Sequence, residues 1–208
     1  MTHTGPNDSP IRDLEVEELA RTNLSVLRRS RFGLRLRDGT WQQQARETYD
    51  RGNGAAILLQ DKARDRVLLV RQFRFPAWVN PVAGQIEIGS RGFLIEVPAG
   101  LVEGRDPAEA VRREAAEEAG VTVGEARLVL DCYTSPGSIT ERVSLFMADY
   151  TPQDRTGVGG GLIEEGEDIG LIEVGFDEAM AMVADGRIAD AKTIMLLYRA
   201  ALERAALL

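Results

Sequence analysis

Residues 106–120, DPAEAVRREAAEEAG, carry both ends of a helix in their own sequence. Asp106 is a natural N-cap, Pro107 suits the first helical position, and Glu109 stands where a capping box needs it. Gly120 is a natural stop, because the residue after the last turn commonly turns left-handed. The spacing predicts a helix over 107–119. Val111, Ala115 and Ala119 share one face at i, i+4 and i+8, and Glu114, Glu117 and Glu118 share another. Like charges on one stripe destabilise a helix by about 0.2–0.5 kcal/mol per pair. Glu117 and Glu118 also occupy the last turn, where the helix dipole disfavours anions. One reading is a solvated charged face. The other is a set of carboxylates gathered to hold a divalent cation, which offsets their repulsion.

The flanking sequence supplies a sheet for this helix. GAAILLQ (54–60) and RVLLVRQF (66–73) read as strands joined by a hairpin loop, DKARD. PAWVNPVAGQIEIGSRG (76–92) reads as a long loop. FLIEV (93–97), ARLVLDCYTS (126–135), ERVSLFMADY (141–150) and IGLIEVG (169–175) are further strand-like runs. DRTGVGGGLIEEGED (154–168) is a glycine-rich acidic loop. No Gly-Lys-Ser/Thr follows its glycines, so it is not a P-loop, and flexibility is their expected role. FDEAMAMVADGR and DAKTIMLLYRAALERAALL are amphipathic helices. The irregular alternation predicts an α/β fold, a mixed sheet with helices on both faces. Residues 1–12 are expected to be a disordered tail, 13–50 an extended or β arm, and 51–208 the main domain. Within the arm, 14–23 reads as weakly helical or irregular, and Asp38-Gly39 as a turn. The arm is too polar and narrow to form a core alone. It is expected to lie against the main domain or a second subunit, which suggests a homodimer.

Composition removes most other chemistries. The 208 residues carry a formal charge of −8, which repels phosphate backbones, so no nucleic-acid partner is expected. No apolar run approaches about 20 residues, so no membrane partner is expected either. The polar first residues lack a hydrophobic signal core, and a cytoplasmic protein is expected. The single cysteine, Cys132, excludes an intrachain disulfide and a thiolate zinc cluster. The single histidine, His3, excludes a Ser-His-Asp triad and multi-histidine metal sites. Catalysis must then use carboxylates with a hard, oxygen-seeking cation.

PAGLVEGRDPAEAVRREAAEEAGV resembles the Nudix signature, G-x5-E-x7-R-E-U-x-E-E-x-G-U with U aliphatic. Gly100 opens it, Arg113 and Glu114 form its RE pair, Glu117 and Glu118 its EE pair, and Gly120 and Val121 close it. The loop is one residue shorter than the consensus, and Asp106 or Arg105 falls where the first glutamate belongs. YDRGNGAAILL, VRQFR, WVN, EVPAG, SPGSITE, GGG before EDI, and DGRIADAKT extend the resemblance over roughly residues 40–200. Together they look like the nucleoside-diphosphate-sugar branch, of the GDP-mannose type first and the ADP-ribose type next. The resemblance implies a Nudix α/β/α sandwich with a small N-terminal β arm.

The same resemblance implies roles for individual residues. The Ala99 carbonyl, Glu114 and Glu118 would hold Mg²⁺ or Mn²⁺, with Glu117 supporting a second ion. Glu167 would approach the metals or orient the attacking water. The base stays open among Glu117, Glu164, Glu165 and Glu167, with Glu117, Glu118 and Glu167 as the catalytic set. Gly100 and Arg74 would contact the diphosphate, Glu141 the substrate or its water, and Lys192 the distal phosphate or sugar. Arg46 and Glu47 would contribute from a neighbouring subunit. Each has a bland reading too: Arg74 as surface charge, Glu141 as an ion-pair partner, Trp78 as a base-stacking or a packing residue. The expected reaction is metal-dependent hydrolysis of a nucleoside diphosphate sugar to a nucleoside monophosphate and a sugar phosphate. Cations neutralise the diphosphate and acidify a bound water, and a carboxylate takes its proton. The alternatives are a non-catalytic nucleotide sensor, or a hydrolase of modified nucleoside triphosphates or dinucleoside polyphosphates.

Overall fold

The run GAAILLQ has no polar face, which demands a strand covered on both sides. The computed structural model, which describes residues 9–83 and 90–206, meets that demand. The chain divides into two compact units. One comprises Gly54–Cys132 and Val143–Leu208, the other Met1–Asn53 and Tyr133–Arg142.

The larger unit is built on a sheet of strands β4 (Gly54–Asp61), β5 (Arg66–Phe73), β6 (Phe93–Glu96), β7 (Ala99–Leu101), β8 (Arg127–Tyr133), β9 (Arg142–Asp149) and β10 (Gly170–Gly175). Its order is β10-β5-β4-β9-β8, with β6 added to β5 and β7 to β4. β4 and β9 run parallel, whereas β5 pairs antiparallel with β4, β6 and β10. The mixed sheet is therefore real.

Alternation along β4 splits the core in two. Ala56 and Leu58 join Leu145, Met147 and the apolar stripes of α3 (Phe176–Ala184) and α4 (Ala191–Ala206). Ala55, Ile57 and Leu59 face the other way and join Phe146 and Ala148 beneath α2 (Pro107–Ala119). Ile57, Leu58 and Leu59 are wholly buried, each worth roughly 1.5–3 kcal/mol of transfer free energy. This is the expected α/β/α sandwich.

Helix α2 begins and ends where its sequence says. The Asp106 carboxylate accepts hydrogen bonds from the N–H groups of Ala108 (2.9 Å) and Glu109 (3.2 Å). Gly120 adopts φ 68°, and its N–H closes the last turn on Ala115 and Ala116. A short helix, α1 (Phe75–Val79), with Pro76 in its first turn, occupies the start of the segment read as one long loop. Residues 84–89 of that segment lie outside the described residues.

The smaller unit is a three-stranded antiparallel sheet, β1 (Ile11–Arg21), β2 (Val26–Arg35) and β3 (Trp41–Asp50), in that order. Residues 14–23 are not helical, as LEVEELAR suggested on propensity. Pairing with β2 overrides propensity, and Glu17 meets Arg29 (3.6 Å) and Arg31 (3.4 Å) across the strands. β1 begins at Ile11, inside the segment read as a tail, while residues 1–8 lie outside the described residues. Tyr49 at the end of β3 exchanges backbone hydrogen bonds with Ser138 (2.8 Å) and Thr140 (3.1 Å). Val26 is the buried apolar side chain of these strands, and β1 is exposed along almost its whole length. No helix among the described residues is long and apolar enough to cross a membrane.

Candidate active site

Glu114 and Glu118 fall on the stripe of α2 that carries Ala110, Val111, Ala115 and Ala119 into the protein. They are only 6% and 1% exposed, so the solvated-face reading fails for this pair. Burying two carboxylates is costly unless charge and hydrogen bonds compensate. The Ala99 N–H donates to Glu118 Oε2 at 3.0 Å, tying α2 to β7. Arg113 donates to Glu114 Oε1 (2.7 Å) and Glu117 Oε2 (3.0 Å), so one guanidinium braces two of the three glutamates. A Cβ at Gly100 would collide with the Glu114 carboxylate. The glycine is needed for space rather than for an unusual backbone angle.

These partners leave Glu118 under-compensated. Burial pushes its carboxyl up to about 8. The Ala99 N–H pulls the other way, while the negative charges of Glu114 and Glu167 push further up and Arg74 opposes them.

The glycine-rich loop is a fitted cap on the end of α2. The Gly160 N–H donates to the Glu118 carbonyl (2.9 Å), Gly161 to Glu117 (3.1 Å), and Gly157 to Gly120 (3.0 Å). These are carbonyls that a helix end leaves unpaired. Gly159 and Gly161 have φ 65° and 76°. A Cβ at Gly159 would come within 2.6 Å of the Glu118 carbonyl oxygen, and one at Gly161 within 2.7 Å of Glu167 Oε2. Close approach and left-handed backbone therefore explain these glycines, and the flexibility first assigned to them is corrected. The cap also delivers Glu167, whose Oε2 accepts from the Leu162 N–H at 3.0 Å. Glu164 is exposed, and the side chain of Glu165 lies outside the described residues.

A second charged group adjoins the first. Arg74 makes a two-pronged contact with Glu96, Nε to Oε1 at 2.8 Å and a terminal nitrogen to Oε2 at 3.0 Å. Lys192 donates to the same Oε2 (3.3 Å) and to Asp190 (2.7 Å). Near a helix N-terminus a cation gains nothing from the dipole, and these two carboxylates hold it there instead. Asp190 also caps α4 through the Thr193 N–H (2.9 Å), and the buried Thr193 hydroxyl accepts from the Val97 N–H (2.9 Å). Sequence reading missed Glu96 and Asp190. For Glu96 the available signal was an acid interrupting the apolar run FLIEV.

Arg46, Glu47 and Glu141 belong to the smaller unit. Arg46 bonds the Gln44 side chain (2.7 Å), and Glu47 accepts from Arg29 (2.7 Å). Trp78 stacks on Phe75 with ring centres 5.8 Å apart, and Arg91 covers it at 4.9 Å. In the shortened signature loop, Glu103 and Gly104 turn left-handed at φ 52° and 77°. Asp106 then serves as the N-cap.

The donor set suits a hard divalent cation. Burial and the neighbouring charges of Glu114 and Glu167 disfavour the ionised form of Glu118, and a bound divalent cation would offset both. Among the described residues no three acidic side chains already converge in ligating positions.

A model described as the NUDIX domain matches residues 50–196. The chain belongs to the Nudix family. The model of the GDP-mannose pyrophosphatase NudK N-terminal domain matches residues 11–49. A GDP-mannose pyrophosphatase of Pectobacterium atrosepticum is 44% identical over 192 residues, 92% of this chain and 94% of that one. One from Cronobacter sakazakii is 42% identical, covering 89% and 92%. One from Salmonella typhimurium is 41% identical, covering 87% and 90%. A crystal structure of an ADP compounds hydrolase superposes with a TM-score of 0.64 over 95% of this chain and 96% of that one, at 19% identity, and shares the fold. The Nudix hydrolase assignment made from the glutamate helix therefore stands.

Proposed function

We propose that this Nudix hydrolase cleaves the diphosphate bond of a nucleoside diphosphate sugar, GDP-mannose first and ADP-ribose next. The products are a nucleoside monophosphate and a sugar phosphate. One observation carries the reading. Buried Glu118 feels the charge of Arg74, and Glu96 ties Arg74 to Lys192, so a seat for metal adjoins a pair of cations suited to a diphosphate. The near full-length likeness to proteins named GDP-mannose pyrophosphatase, N-terminal domain included, supports the choice of sugar nucleotide.

Glu114, Glu118, Glu167 and the Ala99 carbonyl would hold Mg²⁺ or Mn²⁺. When bound, the ion supplies neutralisation of the diphosphate and acidity for a water molecule. Arg113 keeps Glu114 and Glu117 in place for this. Arg74 binds the diphosphate, and Lys192 the distal phosphate or sugar. Gly100 leaves room for the Glu114 carboxylate. Glu167, on the capped loop, takes the proton of the attacking water at a carboxylate oxygen, and Glu117 on α2 supports a second ion. Arg46, Glu47 and Glu141 add substrate contacts, the first two from the partner of a cytoplasmic homodimer.

The test is turnover of GDP-mannose, ADP-ribose and UDP-glucose with Mg²⁺ or Mn²⁺. GMP and mannose 1-phosphate are the expected products. Absence of turnover on all three, with metal present, overturns the reading.

A further inference from the structure

Glu96 is 1% exposed at the end of β6, and it touches two cations at once. A carboxylate has two oxygens, and both are committed. Arg74 takes both prongs, and Lys192 shares Oε2. Burial alone would push this carboxyl up, but the two cations outweigh it and hold it below the usual range. Lys192 is likewise held above the ordinary lysine value against its own burial, by Asp190 and Glu96.

The geometry points to Glu96 as a positioning residue that sets Arg74 and Lys192 at one fixed spacing for the two phosphates of the substrate. The inference rests on the reading of Arg74 and Lys192 as substrate-binding cations. Its physical basis is rigidity. An arginine and a lysine on separate elements, α1's N-terminal flank and α4, have many rotamers, and a shared buried anion removes most of them before the substrate arrives. The planar guanidinium fork fits one carboxylate face and leaves its remaining N–H groups directed elsewhere. Thr193 joins the frame to the strand, because it bonds both Asp190 and the Val97 N–H that follows Glu96. The anion therefore acts through its partners and takes no part in bond cleavage.

The test uses the full chain with Glu96→Gln and Glu96→Asp. The sequence has only two lysines, Lys62 and Lys192, so their side-chain NMR signals are separable. In Glu96→Gln the Lys192 signal is expected to titrate at lower pH than in the wild type by about one unit, with Lys62 unmoved. The KM for GDP-mannose is expected to rise roughly ten-fold, more than kcat falls. Glu96→Asp, which keeps the charge, is expected to recover most of both effects. In an Arg74→Ala, Lys192→Ala background, Glu96→Gln is expected to add no further change in KM. An unmoved Lys192 titration, or a KM effect that persists fully in that background, overturns the role. If the wild type does not turn over GDP-mannose, the functional reading falls. Lys192 titration and calorimetric binding of inorganic pyrophosphate then still decide whether Glu96 sets the cations. Glu96→Gln weakening that binding supports the role, and equal binding overturns it.

Discussion

The Glu118 carboxylate accepts the Ala99 N–H at 3.0 Å, so one buried side chain fastens the last turn of α2 to β7. The same carboxylate is proposed as a metal ligand, and the two jobs can be separated. In Glu118→Gln the amide oxygen can still accept from Ala99, but the negative charge is gone. Activity is expected to fall at least about 100-fold. Thermal stability without metal is expected to stay level at neutral pH and to exceed the wild type above about pH 8, where the wild-type carboxyl must ionise in a buried place. Steady-state kinetics and calorimetry on the same samples check both. Full activity in this variant contradicts the assignment.

Glu118 also sets a pH dependence. Its folded value, about 8, lies above its ordinary value of 4.5. A carboxyl raised on folding contributes stability below the unfolded value, and that contribution is lost as pH rises through the folded value. The metal-free protein is therefore expected to lose stability between about pH 4.5 and 8. Mg²⁺ or Mn²⁺ is expected to restore most of the loss at pH 8, because metal binds the ionised form. Melting curves across pH 5–8.5, in chelator and in metal, test this. A metal-free melting temperature that rises steadily to pH 8.5 contradicts it.

Gly100→Ala isolates a steric requirement. The backbone angle there is ordinary, so the added methyl strains no turn and only displaces the Glu114 carboxylate. Activity is expected to drop by orders of magnitude with stability reduced by about 1–3 kcal/mol. Wild-type kinetics in this variant would place Glu114 outside the metal site.

The glycine cap makes a paired prediction. Gly161→Ala drives a Cβ against Glu167, whereas Gly166→Ala, also left-handed at φ 79°, meets open space. Both are expected to lose about 1 kcal/mol for the backbone. Only Gly161→Ala is expected to lower kcat, about ten-fold or more. Equal kcat values for the two variants would remove Glu167 from the reaction.

Much of the larger unit was legible because its signals are local. Asp106, Pro107 and Gly120 bound α2, and an unbroken apolar run in β4 required cover on both faces. The three glutamates, with no usable histidine or cysteine beside them, selected carboxylate chemistry. Propensity failed in β1, where a helix-forming composition is held extended by its partner strand. It failed again in the short helix at Phe75–Val79, which is stabilised by few residues of its own.

The sequence by itself determined the boundaries of α2, the two-sided core and the family, because caps, periodicity and residue spacing act over a few positions. Only the tertiary structure decided which acids are buried, that the glycine run closes the end of α2, and that Glu96 joins Arg74 to Lys192. Those contacts link residues 22, 42 or 96 positions apart. Nothing in a neighbouring residue records them, since close approach and burial are properties of the packed chain.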